Sequence, residues 1–364
     1  MVKSRGLWAA SHLRRQGCDG RAPHLLLSAQ ILVKCRAAHL IASVLPVISD
    51  AKLLDFLKDA PIFFQPWWLE TVSPGAWDYA VVRRGEEIAG VLPYVFKIRL
   101  GVFRLLEMPP FTPYLGPWLR PSTAKYANRL GEEKDLTVEL IQALPNFAKF
   151  HQTFHPSVVN WLPFYWRGFK QTTIYTYRIE DTADLKKLWS ETRDNVRTDI
   201  KKAQKQVQVR VADSIDDFLP VHRMTFSRQN KSLPHTEAAL RRLDAACAER
   251  GARKVLLACG PDGRVHAGIY LLSDTRTVYY LLGGGDPELR NSGATSLLIW
   301  EAIRWASEQG KQFDFEGSIV EAIERFVRSF GARQCPFFEI QKSPSHIVRF
   351  YRLLHLLART RRAH

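Results

Sequence analysis

The sequence predicts an α/β (α+β) chain whose mixed, mostly antiparallel sheets are flanked by helices. The chain has 364 residues, 46% of them hydrophobic, which is enough for one or two cored domains. Three strand-like segments, "KVLLACG", "RVHAGIYLLSD" and "TVYYLLGGGD", follow one another with turn residues between them. Helix, strand, helix and strand come next, so the order β-β-β-α-β-α-β indicates a mixed sheet with helices on its faces.

Residues 1–49 are predicted to be a poorly ordered basic extension outside the folded part. They carry seven basic residues against Asp19 alone. The whole chain has a formal net charge of +16, and much of it lies in the two ends. No run reaches the roughly 18 apolar residues of a membrane span. The five cysteines include no CxxC pair, which favours a reducing, cytoplasmic compartment. No metal site is expected.

The first predicted domain covers residues 50–179. Two short helices, "AKLLDFLKD" and "FQPWWLETV", precede a hairpin over 77–99 with its turn at Gly85. The proline-rich segment 109–121 is predicted to be an irregular loop. A helix is expected over 133–150, with strands at "SVVNWL" and over 172–180.

The second predicted domain covers residues 180–342 and begins with one long helix, "DLKKLWSETRDNVRTDIKKAQKQ". Apolar residues line one side of it, and Arg193, Arg197 and Lys201 repeat at a spacing of four on the adjacent side. The stripe is either a solvated helix face or a binding surface for an anionic ligand such as a nucleotide, a lipid phosphate or tRNA.

The segment "LGGGDPELRNSGATS" predicts an anion site. A strand runs into glycines and then into a helix start, where backbone N–H groups are free. The alternative is ordinary helix capping with close packing at Gly293. The candidate cofactor-binding residues are Gly284, Gly285, Arg290, Asn291, Ser292, Gly293, Ala294 and Thr295.

The segment "FDFEGS" predicts a catalytic strand end. Alternation on a strand places Asp314 and Glu316 on the face opposite Phe313 and Phe315. A carboxylate at a strand end is well placed as a general base. Pairing with an arginine or capping of nearby amides would explain the two acids equally well. In the next helix, started by Ser318 in a capping box, Val320, Ile323, Val327 and Phe330 are expected to face inward.

These segments resemble the GNAT acyltransferase superfamily, and more narrowly its Fem-like branch of two tandem GNAT-like domains. The resemblance rests on the element order, the "RNSGAT" turn and "FDFEGS…IERFVRSFGA". The family's pyrophosphate loop pattern, [Q/R]-x-x-G-x-[G/A], aligns with Arg290, Gly293 and Thr295. Thr295 departs from the pattern, which has Gly or Ala at that position. Fem-like aminoacyltransferases carry an aromatic-Lys pair where this chain has Phe326-Val327, followed by Arg328.

The resemblance implies an N-acyltransferase that uses acyl-CoA, such as acetyl-CoA, as co-substrate. It implies Glu316 or Asp314 as base, Tyr280 as proton donor to the leaving thiolate, and Arg328 with the Arg193 stripe at an anionic acceptor. The acceptor would be an amine on a small or lipid-linked precursor of the cell envelope or a polysaccharide. Aminoacyl-tRNA is the alternative donor, and a non-catalytic binding module is a third hypothesis.

The C-terminal segment 343–364 predicts a basic amphipathic helix. Over 347–364, Ile347, Phe350, Tyr351 and Leu354 form an apolar stripe beside a row of arginines. Such a helix either docks on the domain or contacts an anionic membrane surface. The predicted location is therefore cytoplasmic, with peripheral contact at the inner membrane face as the open alternative.

Overall fold

The computed structural model of the chain describes residues 50–227, 232–317 and 320–343. The predicted extension 1–49, the Ser318 cap and the C-terminal helix 347–364 lie outside these residues. The helices are α1 (Ala51–Leu57), α2 (Pro66–Val72), α3 (Tyr126–Ala143), α4 (Leu162–Trp166), α5 (Leu185–Glu191), α6 (Asp194–Ala203), α7 (Leu219–Ser227), α8 (Glu237–Glu249), α9 (Ala294–Glu308) and α10 (Glu321–Arg328).

The strands are β1 (Trp77–Arg84), β2 (Glu87–Arg99), β3 (Phe103–Glu107), β4 (Trp118–Leu119), β5 (Lys149–Thr153), β6 (Lys170–Ile179), β7 (Gln208–Ala212), β8 (Arg253–Cys259), β9 (Val265–Ser273), β10 (Thr277–Gly285), β11 (Gln312–Asp314) and β12 (Arg333–Lys342). They form one 12-stranded sheet in the order β1-β2-β3-β5-β12-β6-β11-β10-β9-β8-β7, with β4 beside β2. The β3–β5 and β10–β11 pairs are parallel and the others are antiparallel. The predicted mixed, mostly antiparallel sheet with flanking helices is confirmed.

The last strand in the sequence, β12, lies in the middle of the sheet. It pairs with β6 along Arg333–Gln341 and with β5 along Glu339–Lys342. The two predicted domains therefore share strand ladders, and the predicted boundary at 179/180 follows directly on β6. The division into two domains stays a prediction.

Two buried clusters cover the two faces of the sheet. One includes Phe63, Trp68 and Tyr279, and the other includes Ile200, Trp300 and Phe313. Consecutive residues of a strand point to opposite faces. Accordingly Tyr279 belongs to the first cluster and Tyr280 packs against the second, as the sequence predicts. In the described part of the chain, no helix is both long and apolar enough to cross a membrane.

The predictions between residues 126 and 166 are partly wrong. The expected helix 133–150 is the helix α3, Tyr126–Ala143. It ends there because Leu144 is extended, as residues before proline usually are. The following strand is β5, not "SVVNWL". Residues Leu162–Trp166 instead form the short helix α4, with a proline in its first turn.

The predicted long helix at the start of the second domain is two helices, α5 and α6. Thr192 is extended, and the Arg193 backbone N–H donates to Ser329 O at 2.9 Å. This tertiary bond turns the chain, so Arg193 precedes α6 and does not continue the stripe of Arg197 and Lys201. The inward face predicted for α10 is also half wrong. Val327 and Phe330 are buried, whereas Val320 is 54% and Ile323 48% exposed.

Candidate active site

The strands β10 and β11 separate where the candidate residues cluster. They pair in parallel only along Thr277–Tyr279 and Gln312–Asp314. Beyond Tyr279, β10 continues to Gly285 with β9 as its strand partner, through a bulge between Tyr280 and Leu282. Since β11 ends at Asp314, the sheet opens beside the last part of β10. The opening brings the glycine segment and the FDFEGS segment to the same end of neighbouring strands.

The three glycines that end β10 have three different surroundings. A Cβ on Gly283 would lie 2.0 Å from the Tyr280 hydroxyl, so that side chain occupies the space beside it. A Cβ on Gly284 would lie 2.6 Å from His222 Cα, because the backbone of α7 packs directly on this residue. A Cβ on Gly285 would meet nothing closer than His266 O at 3.5 Å. Of these three glycines, only Gly285 therefore has room for an added Cβ.

The helix α7 also fixes the glycine segment by hydrogen bonds. His222 Nδ1 donates to Gly283 O at 2.9 Å, and Gly285 N donates to Thr225 Oγ1 at 3.1 Å. Burial lowers the pKa of His222, which favours the neutral ring. Neither contact was expected from the sequence.

The start of α9 forms the second wall of a cavity of about 280 Å³. A 3₁₀ turn over Arg290–Ser292 leads into Gly293, whose φ of +79° suits glycine. No side chain caps the helix at Gly293. The helix starts at Ala294, whose N–H donates to Ser292 Oγ at 3.3 Å. The predicted residues that line the cavity are Tyr280, Gly284, Gly285, Arg290, Ser292, Ala294 and Thr295.

Two predicted cofactor residues serve packing in this structure. Lys202 Nζ donates to the Asn291 carbonyl at 2.6 Å. A Cβ on Gly293 would lie 2.3 Å from Asp199 O, so the turn approaches α6 as only glycine allows. Neither Asn291 nor Gly293 lines the cavity.

The electrostatics at the cavity favour an anion. Arg290 is exposed and forms no ion pair among the described residues. On the same loop, Asp286 is buried and paired with Arg264 at 2.7 Å, and Glu288 is paired with the same guanidinium. Each loop carboxylate thus contacts Arg264, which leaves Arg290 and the helix start available to a ligand anion.

Asp314 is fully buried and has four donors. Thr176 Oγ1 lies 2.5 Å from Oδ1, Arg178 Nε lies 2.6 Å from Oδ2, and the Tyr114 hydroxyl lies 3.3 Å from both. The Glu316 N–H donates to Oδ1 at 2.8 Å. The arginine pairing that the sequence left open is what the structure contains. Asp314 therefore holds the strand end in place and has no lone pair facing the opening.

Glu316 lies just past the strand, and here the predicted alternation fails. The residue has a φ of +57°, which a non-glycine residue adopts at a cost. Its Oε1 is buried and has no hydrogen-bond partner among the described residues. Burial, and then the charge of Asp314, raises the pKa of Glu316 well above its ordinary value. A half-buried carboxylate with strained backbone and one buried oxygen without a partner is typical of a functional site.

Tyr280 lies in the cavity, with its ring over Gly283. Burial raises the pKa of its hydroxyl to about 12. The hydroxyl is therefore protonated at neutral pH and can donate a proton to a basic leaving group.

The predicted acceptor-binding basic residues differ in whether they form ion pairs. Arg197 is paired with Asp194, and Arg328 with Glu324 at 2.7 Å. Lys201 is exposed and makes no ion pair within the described ranges. The helix α6 packs against α9 and the turn before it, whereas Arg328 is on α10, and neither Lys201 nor Arg328 lines the cavity.

Comparison with known proteins agrees with this geometry. A family model described as an acetyltransferase (GNAT) domain matches residues 190–319. No curated protein matches the chain in sequence.

Three solved structures share its fold. A crystal structure of FemX has a TM-score of 0.59 at 15% identity and covers 78% of this chain and 94% of its own. A tandem GNAT protein from the clavulanic acid biosynthesis pathway has a TM-score of 0.51 at 11% identity, and the match covers 82% of this chain and 97% of that protein. The C-terminal domain of a putative lysylphosphatidylglycerol synthetase from Agrobacterium fabrum has a TM-score of 0.50 at 10% identity, and the match covers 87% of this chain and 95% of that domain. At these identities the likeness is one of fold.

Proposed function

Because this chain has a GNAT-superfamily, Fem-like fold, we propose that it is an N-acyltransferase that moves an acyl group from acyl-CoA to an amine. The carrying observation is the cavity between the open end of β10 and the start of α9. Its walls offer the backbone at the start of α9, Arg290 without an ion pair among the described residues, and the backbone of Gly285, which has room beside it. These features suit a pyrophosphate, which needs donors, positive potential and close backbone approach.

The proposed chemistry uses the two residues that flank the opening. Glu316 accepts a proton from the acceptor ammonium, and the neutral nitrogen attacks the thioester carbonyl carbon. The C–N bond forms, the C–S bond breaks, and the thiolate takes the proton of the Tyr280 hydroxyl. The Tyr280 phenolate then takes the second proton, which the new amide nitrogen releases. The raised pKa of Glu316 makes its carboxylate a stronger base than an exposed one.

Asp314 is given a positioning role in this proposal. Its ion pair with Arg178 fixes the end of β11, and its bond from the Glu316 N–H fixes the turn that presents the base. The acceptor is proposed to be an amine of a small or lipid-linked precursor of the cell envelope or a polysaccharide. That part rests on the resemblance to Fem-like proteins.

A second donor, aminoacyl-tRNA, is favoured by one observation. Lys202 on α6 donates to the Asn291 carbonyl, which places positive charge beside the turn before α9, outside the pocket itself. A polyanion longer than CoA would contact that charge. Titration with uncharged tRNA should then show affinity that falls steeply with salt, whereas acyl-CoA binding should change less.

The donor site is tested by calorimetry with acetyl-CoA. Arg290→Ala should weaken binding by about 1–3 kcal/mol, the range for hydrogen bonds to charged groups. The matched control is Arg304→Ala on α9, where the arginine is paired with Glu301 at 3.0 Å and does not line the cavity. Equal affinity of the Arg290→Ala and Arg304→Ala variants would remove the proposed pyrophosphate site.

A further inference from the structure

The turn between β2 and β3 exposes aliphatic side chains. Ile98 is 45% exposed, Leu100 66% and Val102 72%. They lie within five consecutive residues at the tip of a hairpin, beyond the part of β2 that is buried. A cluster of apolar side chains at a projecting tip marks an interaction surface more often than scattered exposed residues do.

The conformation of the tip makes its composition unusual. Val102 N donates to Arg99 O at 3.2 Å, and both central residues, Leu100 (φ 52°) and Gly101 (φ 71°), have positive φ. Turns of this kind favour Asn, Asp or Gly at both places. A leucine at the first place is strained and exposed in water, so the fold alone gives no reason for it.

The charge around the tip has one sign. Lys97, Arg99 and Arg104 flank the aliphatic residues, and segment 97–104 contains no acid. None of these three cations has a carboxylate within salt-bridge distance in the described part of the chain. Arg104 lies over the Phe96 ring at 6.0 Å, so its guanidinium stays close to the tip.

The strand directions relate this tip to the rest of the molecule. At the end of the sheet where β2 meets β3, β5 and β6 begin and β12 ends. The short strand β11 pairs with Arg178 and Ile179 at the other end of β6, and β10 continues past that pairing to Gly285. The tip therefore lies beside the starts of β5 and β6, whereas Asp314 lies opposite the last residues of β6.

Aromatic side chains add to this end of the sheet. Tyr165 is 59% exposed and Trp166 56%, both on α4 immediately before β6. Lys134 Nζ lies 5.8 Å from the Trp166 ring centre, and Lys342 Nζ donates to Arg167 O at 2.5 Å. Tryptophan and tyrosine beside lysine are the residues enriched at membrane interfaces.

We propose that this docking end, made of residues 97–104 with Tyr165 and Trp166, binds an anionic lipid bilayer. The aliphatic tip enters the headgroup region, the cations contact lipid phosphates, and the aromatic pair lies at the interface. Aliphatic residues ringed by unpaired cations fit a bilayer better than an acidic protein surface, which would leave the aliphatic residues in contact with charge. This docking does not depend on the proposed acyltransferase function.

The test is co-sedimentation of the full chain with phosphatidylcholine vesicles that contain or lack phosphatidylglycerol. The double variant Leu100→Asn with Val102→Thr keeps every charge and gives the turn a residue suited to positive φ. Its partitioning onto the anionic vesicles should fall roughly tenfold or more, as expected for two lost apolar side chains. Leu100→Met with Val102→Ile should partition like the wild type. Lys97→Gln and Arg99→Gln should each reduce it roughly fivefold.

The control is Val211→Thr, which alters a residue that is 54% exposed on β7 at the far edge of the sheet. Vesicle binding by the Leu100→Asn/Val102→Thr variant equal to wild type, or no binding by the wild type, would overturn the docking end. Loss by the Val211→Thr control of the same size would do so as well. Acetyl-CoA calorimetry on the same proteins separates the proposals, because failure at the donor site leaves the vesicle result unchanged.

Discussion

Gly284 and Gly285 are neighbours in one strand but are required for different reasons. Gly284→Ala should destabilise the fold by about 1–3 kcal/mol, because the new methyl group would overlap the α7 backbone. Gly285→Ala should leave the melting temperature unchanged or slightly raised, since a Cβ has room there and alanine restricts the unfolded chain. Thermal unfolding measures both.

Gly285→Ala should lower the affinity for acetyl-CoA even though it does not lower stability. The methyl group would project into the cavity and weaken binding while stability is kept. If Gly285→Ala binds acetyl-CoA like the wild type, the backbone of β10 does not approach the donor.

Glu316→Gln tests the proposed base. Turnover should fall roughly 10²-fold or more, because the amide cannot take the proton. Glu308→Gln, an exposed change at the end of α9, is the control and should be neutral. Near-wild-type turnover of a folded Glu316→Gln protein would make the residue structural.

The raised pKa of Glu316 also predicts how stability depends on pH. The folded state binds the proton more tightly than the unfolded state, so ionisation of this group reduces stability as pH rises from the ordinary glutamate pKa to the raised one. The Glu316→Gln variant lacks this loss. Its stability advantage over wild type, measured by urea unfolding, should therefore grow with pH in that window and be smallest in acid. A constant difference across pH would contradict a strongly raised pKa.

At the scale of elements, the pairing of β6 with β11 is short and depends on one buried ion pair. Only two residue pairs join the strands, and one of them is Arg178 with Asp314. Asp314→Asn should cost about 3–5 kcal/mol, since it leaves the guanidinium buried without a counter-charge. Glu301→Gln removes the partner of Arg304 at the surface and should cost less than about 1 kcal/mol. Similar losses for the two variants, measured by urea unfolding, would show that the buried pair does not hold the strands together.

Element order was predictable from the sequence because it depends on local patterns. The strands β8 to β10, the helix α9 and the strand β12 follow from alternation, helical periodicity and turn residues. The turn that leads into α9 was predictable for the same reason. The partners of Asp314 were not, since Arg178 is 136 residues and Tyr114 200 residues away along the chain. Glu316 adopts a positive φ beside these contacts, and its N–H donates to Asp314. The alternation of a regular strand therefore did not predict its conformation.

The predicted helix boundaries were wrong where tertiary contacts determine them. The break between α5 and α6 depends on the Ser329 carbonyl, which no pattern within 180–206 indicates. The exposed faces of Val320 and Ile323 likewise run against the apolar periodicity of α10. Periodicity gives the face that would be buried if a neighbour covered it, and only the fold says whether one does.

For the whole molecule, the continuous sheet predicts one cooperative unfolding transition. The ladder between β6 and β12 crosses the predicted domain boundary along nine residue pairs, Arg333 to Gln341. Separate domains would unfold in two steps. Calorimetry should give a van't Hoff enthalpy equal to the calorimetric enthalpy, and two resolved transitions would favour independent domains.

The central place of β12 has a consequence for synthesis on the ribosome. β5 and β6 are made early, yet the strand that lies between them is completed only at Lys342. Until then each presents an open edge, and open edges recruit other chains. The pairing of β12 with β5 also spans more than half of the given sequence, which slows folding. The nascent chain therefore keeps these edges uncovered until β12 is synthesised, and holding chaperones can bind this part of the protein during that interval.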